Sequence, residues 1–203
     1  MTTVQSLTLE VPDPAAAAAF YAALGVGKYV DVRAAQEPTT GFRGYTLSLV
    51  VSQPNIVDAF VETALGGGAA TVKSPKKSLW GYGGVVQAPD GALWKVATSS
   101  KKNTGPTVLE FDDLVLLLGV SDVKATKQFY VDHGLEVAKS FGRKYVEFAN
   151  PATKVKLALY GRRALAKDAG VPEDGTGSHR IVIGSDTGPF TDPDGFAWET
   201  AHA

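Results

Sequence analysis

The sequence predicts an α+β protein assembled from repeated strand–helix–strand units in two halves. Three observations carry this. A Pro-Asp-Gly turn followed by a Trp-bearing strand occurs twice, as Ala88-Pro-Asp-Gly-Ala-Leu-Trp-Lys-Val and as Asp192-Pro-Asp-Gly-Phe-Ala-Trp-Glu-Thr. A front motif also recurs, Leu7-Thr-Leu-Glu-Val-Pro-Asp before Phe20-Tyr and Leu116-Leu-Leu-Gly-Val-Ser-Asp before Phe129-Tyr, with Asp13/Asp122 and Gly25/Gly134 in register. Self-similarity at a fixed offset is the mark of a duplicated unit. Between the copies runs Thr98-Ser-Ser-Lys-Lys-Asn-Thr-Gly-Pro106, polar and without periodicity. The expected division is therefore a first half over 1–98, a linker over 99–107 and a second half over 108–203.

In order along the chain, Leu7 to Val11 reads as a strand by its alternation. Asp13 then stands where an N-cap belongs, Pro14 at the first helical position, and Gly25 as the closing glycine. A further extended run covers Phe42 to Val51, and a helix covers about Pro54 to Leu65 before Gly66-Gly-Gly. Strands near Val72 and over Gly83 to Gln87 lead into the first Asp-Gly turn. Pro presets φ and Gly accepts positive φ, so this triplet turns the chain into a last strand. In the second half Asp122 caps a helix ending at Gly134. Lys144–Ala149 and Lys154–Tyr160 form a hairpin, and a helix runs from Arg162 to about Ala169. After a strand over His179 to Gly184, the loop from Asp186 to the second Asp-Gly turn is too short for a helix and a returning strand. The two halves are trimmed in complementary places.

Composition narrows the function. Twenty Lys plus Arg against 21 Asp plus Glu gives no basic excess for nucleic acid or a membrane surface. The longest apolar run, Leu114 to Val120, is far below the roughly 20 residues that span a bilayer. The Ala15–Ala19 stretch has acidic residues and prolines before it and no basic lead, so it reads as helix rather than signal peptide, and a cytoplasmic location is expected. With no cysteine there is no disulfide or thiolate chemistry, so a metal would need His and carboxylates. The expected partner is a small molecule.

The front motif (strand, Val-x-Asp, helix, Phe-Tyr-x-x-x-Gly) and the ending Asp-Pro-Asp-Gly-x-x-Trp-Glu resemble the vicinal oxygen chelate superfamily, the fold of glyoxalases, bleomycin-resistance proteins and extradiol dioxygenases. The resemblance covers most of the chain. It implies tandem βαβββ modules, two of them abbreviated, forming glyoxalase-like halves whose curved, antiparallel-rich mixed sheets make a cup around a ligand. It also implies a divalent metal held from the first and last strands of modules. The family's first-strand ligand position falls on Ser6, Thr46 and Val115 and, if Asp186 is the matching Asp, on His179; its last-strand Glu falls on Lys95 and Glu199. An ammonium at Lys95 repels a dication, so no metal is expected in the first cup, and His179 with Glu199 is an incomplete set for Fe, Mn, Ni or Zn in the second.

Alternation then groups the faces. Ser6, Thr8, Glu10, Thr46 and Ser48 are expected to make a polar cup in the first half. Val115, Leu117, Gly119, His179, Ile181 and Ile183 with Glu199 are expected to make an apolar one in the second. An apolar recess with a few polar groups suits a small molecule. Val115, Leu117, Ile181, Tyr160 and Trp80 are the candidate ligand contacts, and His179 and Glu199 the candidate acid–base pair. The same pair also reads as two buried polar groups satisfying each other.

Three functions follow. The first is a metal-independent binder of a small, partly apolar molecule. The second is a lyase, isomerase or dioxygenase using His179 and Glu199. The third is an interaction module that completes its trimmed sheets as a homodimer. Elsewhere Lys73, Lys76 and Lys77 beside Trp80 read as a solvated loop or a greeting for an anion, and Arg180 as facing away from the cup where no helix covers it. His133 reads as a helix cap and His202 as lying in a fraying end.

Overall fold

The computed structural model describes residues 2–201, so His202 lies outside the described residues. The elements run β1 (Val4–Val11), α1 (Pro14–Ala23), β2 (Val30–Ala34), β3 (Thr39–Gly41), β4 (Tyr45–Val50), α2 (Pro54–Gly66), β5 (Ala70–Ser78), β6 (Gly81–Gln87) and β7 (Leu93–Thr98). After the linker come β8 (Asp113–Val120), α3 (Val123–Asp132), β9 (Val137–Phe141), β10 (Tyr145–Phe148), β11 (Val155–Gly161), α4 (Arg162–Ala169), β12 (Gly175–Gly177), β13 (Ile181–Ser185), β14 (Phe190–Thr191) and β15 (Ala197–Thr200). Helices start where their caps stand. Asp13 accepts from the Ala16 amide, and Asp122 from the Lys124 and Ala125 amides, which hold its carboxyl below the usual range. His133 bonds the Phe129 carbonyl through Nδ1 at 2.8 Å in the last turn of α3.

Two sheets result. One has eight strands in the order β5-β6-β7-β4-β8-β11-β10-β9, the other five in the order β14-β15-β13-β1-β2; β3 and β12 form a small ribbon. Each sheet draws strands from both halves. The complete units, β4-α2-β5-β6-β7 and β8-α3-β9-β10-β11, join antiparallel through β4 and β8, and the abbreviated ends join antiparallel through β1 and β13. This corrects the expectation that each half lines a cup of its own. Thr46 and Val115 share the eight-stranded sheet, while Ser6 and Glu199 share the five-stranded one. The physical reason is complementarity: a unit without its later strands leaves an unpaired first-strand edge, and the other trimmed unit fills it.

The backs of the sheets meet in one continuous apolar core with α1, α2 and α3. Leu7 and Leu9 of β1, Leu47 and Leu49 of β4, Leu114, Leu116 and Leu118 of β8 and Ile181 and Ile183 of β13 all enter it, alternating with residues on the far faces. The two repeated motifs find each other inside each half. The Tyr21 hydroxyl on α1 donates to the Asp90 carboxylate in the first Asp-Gly turn, with Trp94 5.5 Å away ring to ring. The Tyr130 hydroxyl on α3 donates to Asp192 at 2.6 Å, and Trp198 donates to that same hydroxyl at 3.3 Å. Helix, turn and last strand are thereby fastened around one phenol.

Candidate functional site

Register places the far face of the eight-stranded sheet. Ser48 opposes Val115 and Thr46 opposes Leu117 across β4 and β8, Lys95 lies beside Ser48, and Ala158 lies beside Leu117. Helix α4 lies on this face. Its Leu165, Ala166 and Ala169 are buried against Phe42, Leu93, Leu117 and Tyr160, while Arg162, Arg163, Lys167 and Asp168 are not. Gly119 permits the approach: a Cβ there would meet the Gly44 carbonyl oxygen at 3.0 Å and the Arg162 Cα at 3.1 Å. At the helix C-terminus Lys73 Nζ donates to the Lys167 and Asp168 carbonyls at 2.9 and 2.5 Å, and Lys95 Nζ pairs with the Asp168 carboxylate at 2.7 Å. Lysine at the last turn satisfies carbonyls that the helix leaves open.

Several recesses border the helix or the chain leaving it; one of about 990 Å³ is wide open and charged, with Arg162, Arg163, Lys167, Glu173 and Asp174 in its lining, and two smaller ones lie against the sheet. One encloses about 300 Å³ between the segment before β4, the first Asp-Gly turn and the chain leaving α4, and is lined by Phe42, Leu93, Ala92, Val171 and Pro172 with Arg43, Tyr45, Gln87 and Asp174. The Tyr45 hydroxyl is buried without a hydrogen-bond partner. Burial pushes its pKa up, and the Arg43 guanidinium beside it acts in the opposite direction, leaving Tyr45 a neutral phenol. Arg43 donates to the Asp90 carbonyl at 2.6 Å; Gly91, at φ +91, makes room for it, since a Cβ there would lie 2.6 Å from its Nη2. The other recess, about 250 Å³, lies over β5, β6 and β7 with Lys73, Lys76, Lys95, Tyr82 and Trp80, a residue 84 % exposed.

On the five-stranded sheet Ser6, Thr8, Glu10, Asp31, Arg33, Val182, Gly184 and Glu199 share the face away from the core. Arg33 bridges two carboxylates there. It donates to Glu10 at 2.8 and 3.1 Å and to both oxygens of Glu199 at 3.0 Å, and its own pKa is raised by Glu10 first and by Glu199 after it. The fork geometry is the one guanidinium and carboxylate favour.

The residues expected from the sequence to act together are therefore distributed. Val115, Leu117 and Tyr160 lie on the eight-stranded face, the last two against α4. Ile181 is core, which corrects its placement in a cup. Trp80 stands at the second recess. Glu199 is on the other sheet, bonded to Arg33. His179 precedes β13, stacks on Phe196 at 3.9 Å, and contacts the Arg43 carbonyl through Nδ1 at 2.6 Å and the Asp194 carbonyl through Nε2 at 3.0 Å. It shares no hydrogen-bond partner with Glu199 among the described residues, so the expected pair is not assembled. The strand was expected to begin at His179, but Arg180 has φ +58, a left-handed turn that ends the alternation before Ile181. Arg180 is accordingly not a strand residue, and its Nε is buried without a partner.

The register also moves the family's first-strand position in the last unit. Val115 opposes Ser48, two residues beyond Thr46; the residue bearing that relation to Ser6 is Val182, which opposes Thr8. The eight-stranded face thus offers Thr46, Val115 and Lys95 at the positions where the resemblance puts metal ligands, and Ala158 at the register position equivalent to Lys95. Two of these have no donor atom and one is a cation, a set that does not fit a dication. The five-stranded face offers Ser6, Val182, Asp31 and Glu199, the last already committed to Arg33. Among the described residues no three His, Asp or Glu stand together as metal ligands would. Sequence reading missed Arg43 and Tyr45, because their recess exists only once the chain after α4 folds over them.

No protein-family model matches the chain, and no curated protein matches it in sequence. Solved structures do. Glyoxalase I from Zea mays superposes with a TM-score of 0.60 at 15 % identity, over 98 % of this chain and 91 % of that one. A putative dioxygenase from Bacillus subtilis gives 0.50 at 13 % identity, over 89 % and 69 %. Among the described residues no helix is long and apolar enough to cross a membrane. The order of the strands, the paired βαβββ units and these superpositions together give the chain the vicinal oxygen chelate, glyoxalase-like fold.

Proposed function

We propose that the chain binds a small, partly apolar molecule in the 300 Å³ recess beside α4, without a catalytic metal, as a cytoplasmic protein. The observation that carries this reading is the recess itself: apolar walls from Phe42, Leu93, Val171 and Pro172 with the Arg43 guanidinium among them. Its volume is at the lower end of the ~300–1,000 Å³ typical of small-molecule sites, and a few placed polar groups within apolar walls are their usual chemistry. Helix α4 supports the same reading, since it covers the middle of the sheet face and leaves the ligand its flank. Val171→Trp fills the recess from a loop position. In a thermal-shift screen of small aromatic and branched compounds, a ligand at about 100 times its Kd stabilises the wild type by about 2.7 kcal/mol. The variant loses that gain, and a hit that shifts both proteins equally contradicts the site.

Glu199 favours a second reading. It stands on an open sheet face at the last-strand position, held bidentate by Arg33, and could serve acid–base chemistry there. Ligand contacts around Glu10, Arg33 and Glu199 rather than Arg43 would support it.

A further inference from the structure

We propose that the hairpin joining β5 and β6 is a docking tip for an anionic lipid surface, with Leu79 and Trp80 entering the interface and the lysines around them facing the headgroups. The proposal stands apart from the recess beside α4 and does not depend on a ligand there.

Local rules do not account for the tip. Leu79 and Trp80 form the two-residue turn between Ser78 and Gly81 and are 78 % and 84 % exposed, the most of any large apolar side chains among the described residues. Turns of this length call for Gly, Asn or Asp. Here the neighbours make the turn: the Trp80 amide donates to Ser78 Oγ at 3.2 Å, and Gly81 takes φ +135. The equivalent hairpin of the other complete unit, between β9 and β10, carries the exposed residues Gly142-Arg143-Lys144 at its tip, with Phe141 ahead of them 6.1 Å from Tyr145 ring to ring. The duplicated unit thus forms this hairpin with a polar tip, and Leu79 and Trp80 answer to something outside the chain.

Charge says what that is. The near-neutral balance of the whole chain conceals an uneven distribution, since residues 63–109 hold six lysines and no arginine against a single acid, Asp90. Lys73 and Lys95 are spent on the end of α4. Lys76, Lys77, Lys101 and Lys102 are exposed, and their ammonium groups have no ion pair or hydrogen bond among the described residues. Lys76 opposes Gly83 and Lys77 opposes Tyr82, so the two project to opposite faces of the sheet just before the turn. Lys101 and Lys102 follow β7, whose Thr98 opposes Tyr82 from the other side of β6. A projecting apolar tip among ammonium groups suits anionic lipid, where Trp favours the headgroup level and each lysine adds attraction. Stable binding to such a surface takes two signals, and an apolar insertion with a basic patch supplies both. Single-stranded nucleic acid would use the cations and the indole but leave Leu79 in water.

The test is flotation of the full chain with vesicles of phosphatidylcholine alone and of phosphatidylcholine with about 30 % phosphatidylserine, with tryptophan emission read on the same samples. Trp94 and Trp198 are each 1 % exposed, so a blue shift on binding reports Trp80. Wild type is expected to bind the anionic vesicles about tenfold or more tighter than the neutral ones, with a blue shift, and to release them as salt rises. Leu79→Ser with Trp80→Ser abolishes binding and leaves the urea midpoint unchanged, because neither side chain belongs to the core. Lys76→Gln with Lys77→Gln weakens binding by about tenfold or more, at roughly fivefold per lysine. No binding to anionic vesicles, binding retained by the Leu79→Ser, Trp80→Ser variant, or binding without a blue shift each overturns the proposal. Where vesicles fail and an oligothymidylate binds in fluorescence anisotropy, the basic edge belongs to single-stranded nucleic acid instead.

Discussion

Three tyrosine hydroxyls are buried against the core, and their partners set them apart. Tyr21 and Tyr130 each donate to an aspartate of an Asp-Gly turn, whereas the Tyr45 hydroxyl donates to nothing. Removing an unpartnered hydroxyl while keeping the ring leaves stability unchanged or raises it by up to about 1–3 kcal/mol, so Tyr45→Phe should unfold in urea no earlier than wild type. Tyr130→Phe should instead lose about 1–3 kcal/mol, because Asp192 is left short of a donor. That deficit depends on pH. Burial raises the Asp192 pKa and the Tyr130 hydroxyl lowers it, with the net shift upward. The folded state therefore holds this proton more readily than the unfolded state, and the residue's contribution to stability falls as pH rises from the unfolded value through the raised one. Without Tyr130 the charged form is worse still, so the deficit should be larger near pH ~7 than near pH ~4. At this scale the sequence was partly legible. Glu199 reaches a sheet face away from the core because strand alternation holds through Trp198. His179 does not, because the positive φ of Arg180 interrupts the count, and nothing in its residue type announces that.

Helix α4 shows the same division at the level of elements. Its span is readable from Gly161 before it, Gly170 after it and the Leu165, Ala166, Ala169 stripe between. Where it lies is not, since eight residues with one short apolar stripe suit many surfaces, and the fit depends on Gly119, more than forty residues earlier. Packing rather than charge holds it. Leu165→Ala removes a fully buried side chain and should cost about 2–5 kcal/mol. Lys95→Met breaks an ion pair whose side chains are 32 % and 42 % exposed and should cost less than about 1 kcal/mol. Equal losses in chemical denaturation would mean that the helix is held by its lysines instead. The linker is another element with more structure than its composition suggests. Gln53 stands at the N-cap position of α2 yet spends its side chain on the linker, bonding the Gly105 and Pro106 carbonyls and the Thr104 and Gly105 amides at 2.7–2.9 Å.

For the whole molecule, duplication was visible in the sequence and the pairing of the copies was not. Register counts made within a unit that keeps the helix after its first strand survive, which is why Ser6, Thr46 and Val115 occupy equivalent places. The count into the last unit fails by three residues because that unit has lost its helix, so Asp186 is not the counterpart of Asp13 or Asp122, and Val182 rather than His179 takes the strand position. Contacts between β1 and β13 join residues more than 170 apart, beyond any local signal. What the pairing creates is two sheet faces with different fates: one carries α4 with a recess at its side, the other carries Arg33 between Glu10 and Glu199. The most direct discrimination between them is a ¹⁵N-resolved NMR titration with a ligand found in the thermal-shift screen. Binding beside α4 should shift the amides of residues 41–45, 91–93 and 171–174 and leave the five-stranded sheet unmoved. Shifts centred on Glu10, Arg33 and Glu199, with the α4 flank silent, would place the site on the other sheet and contradict the account.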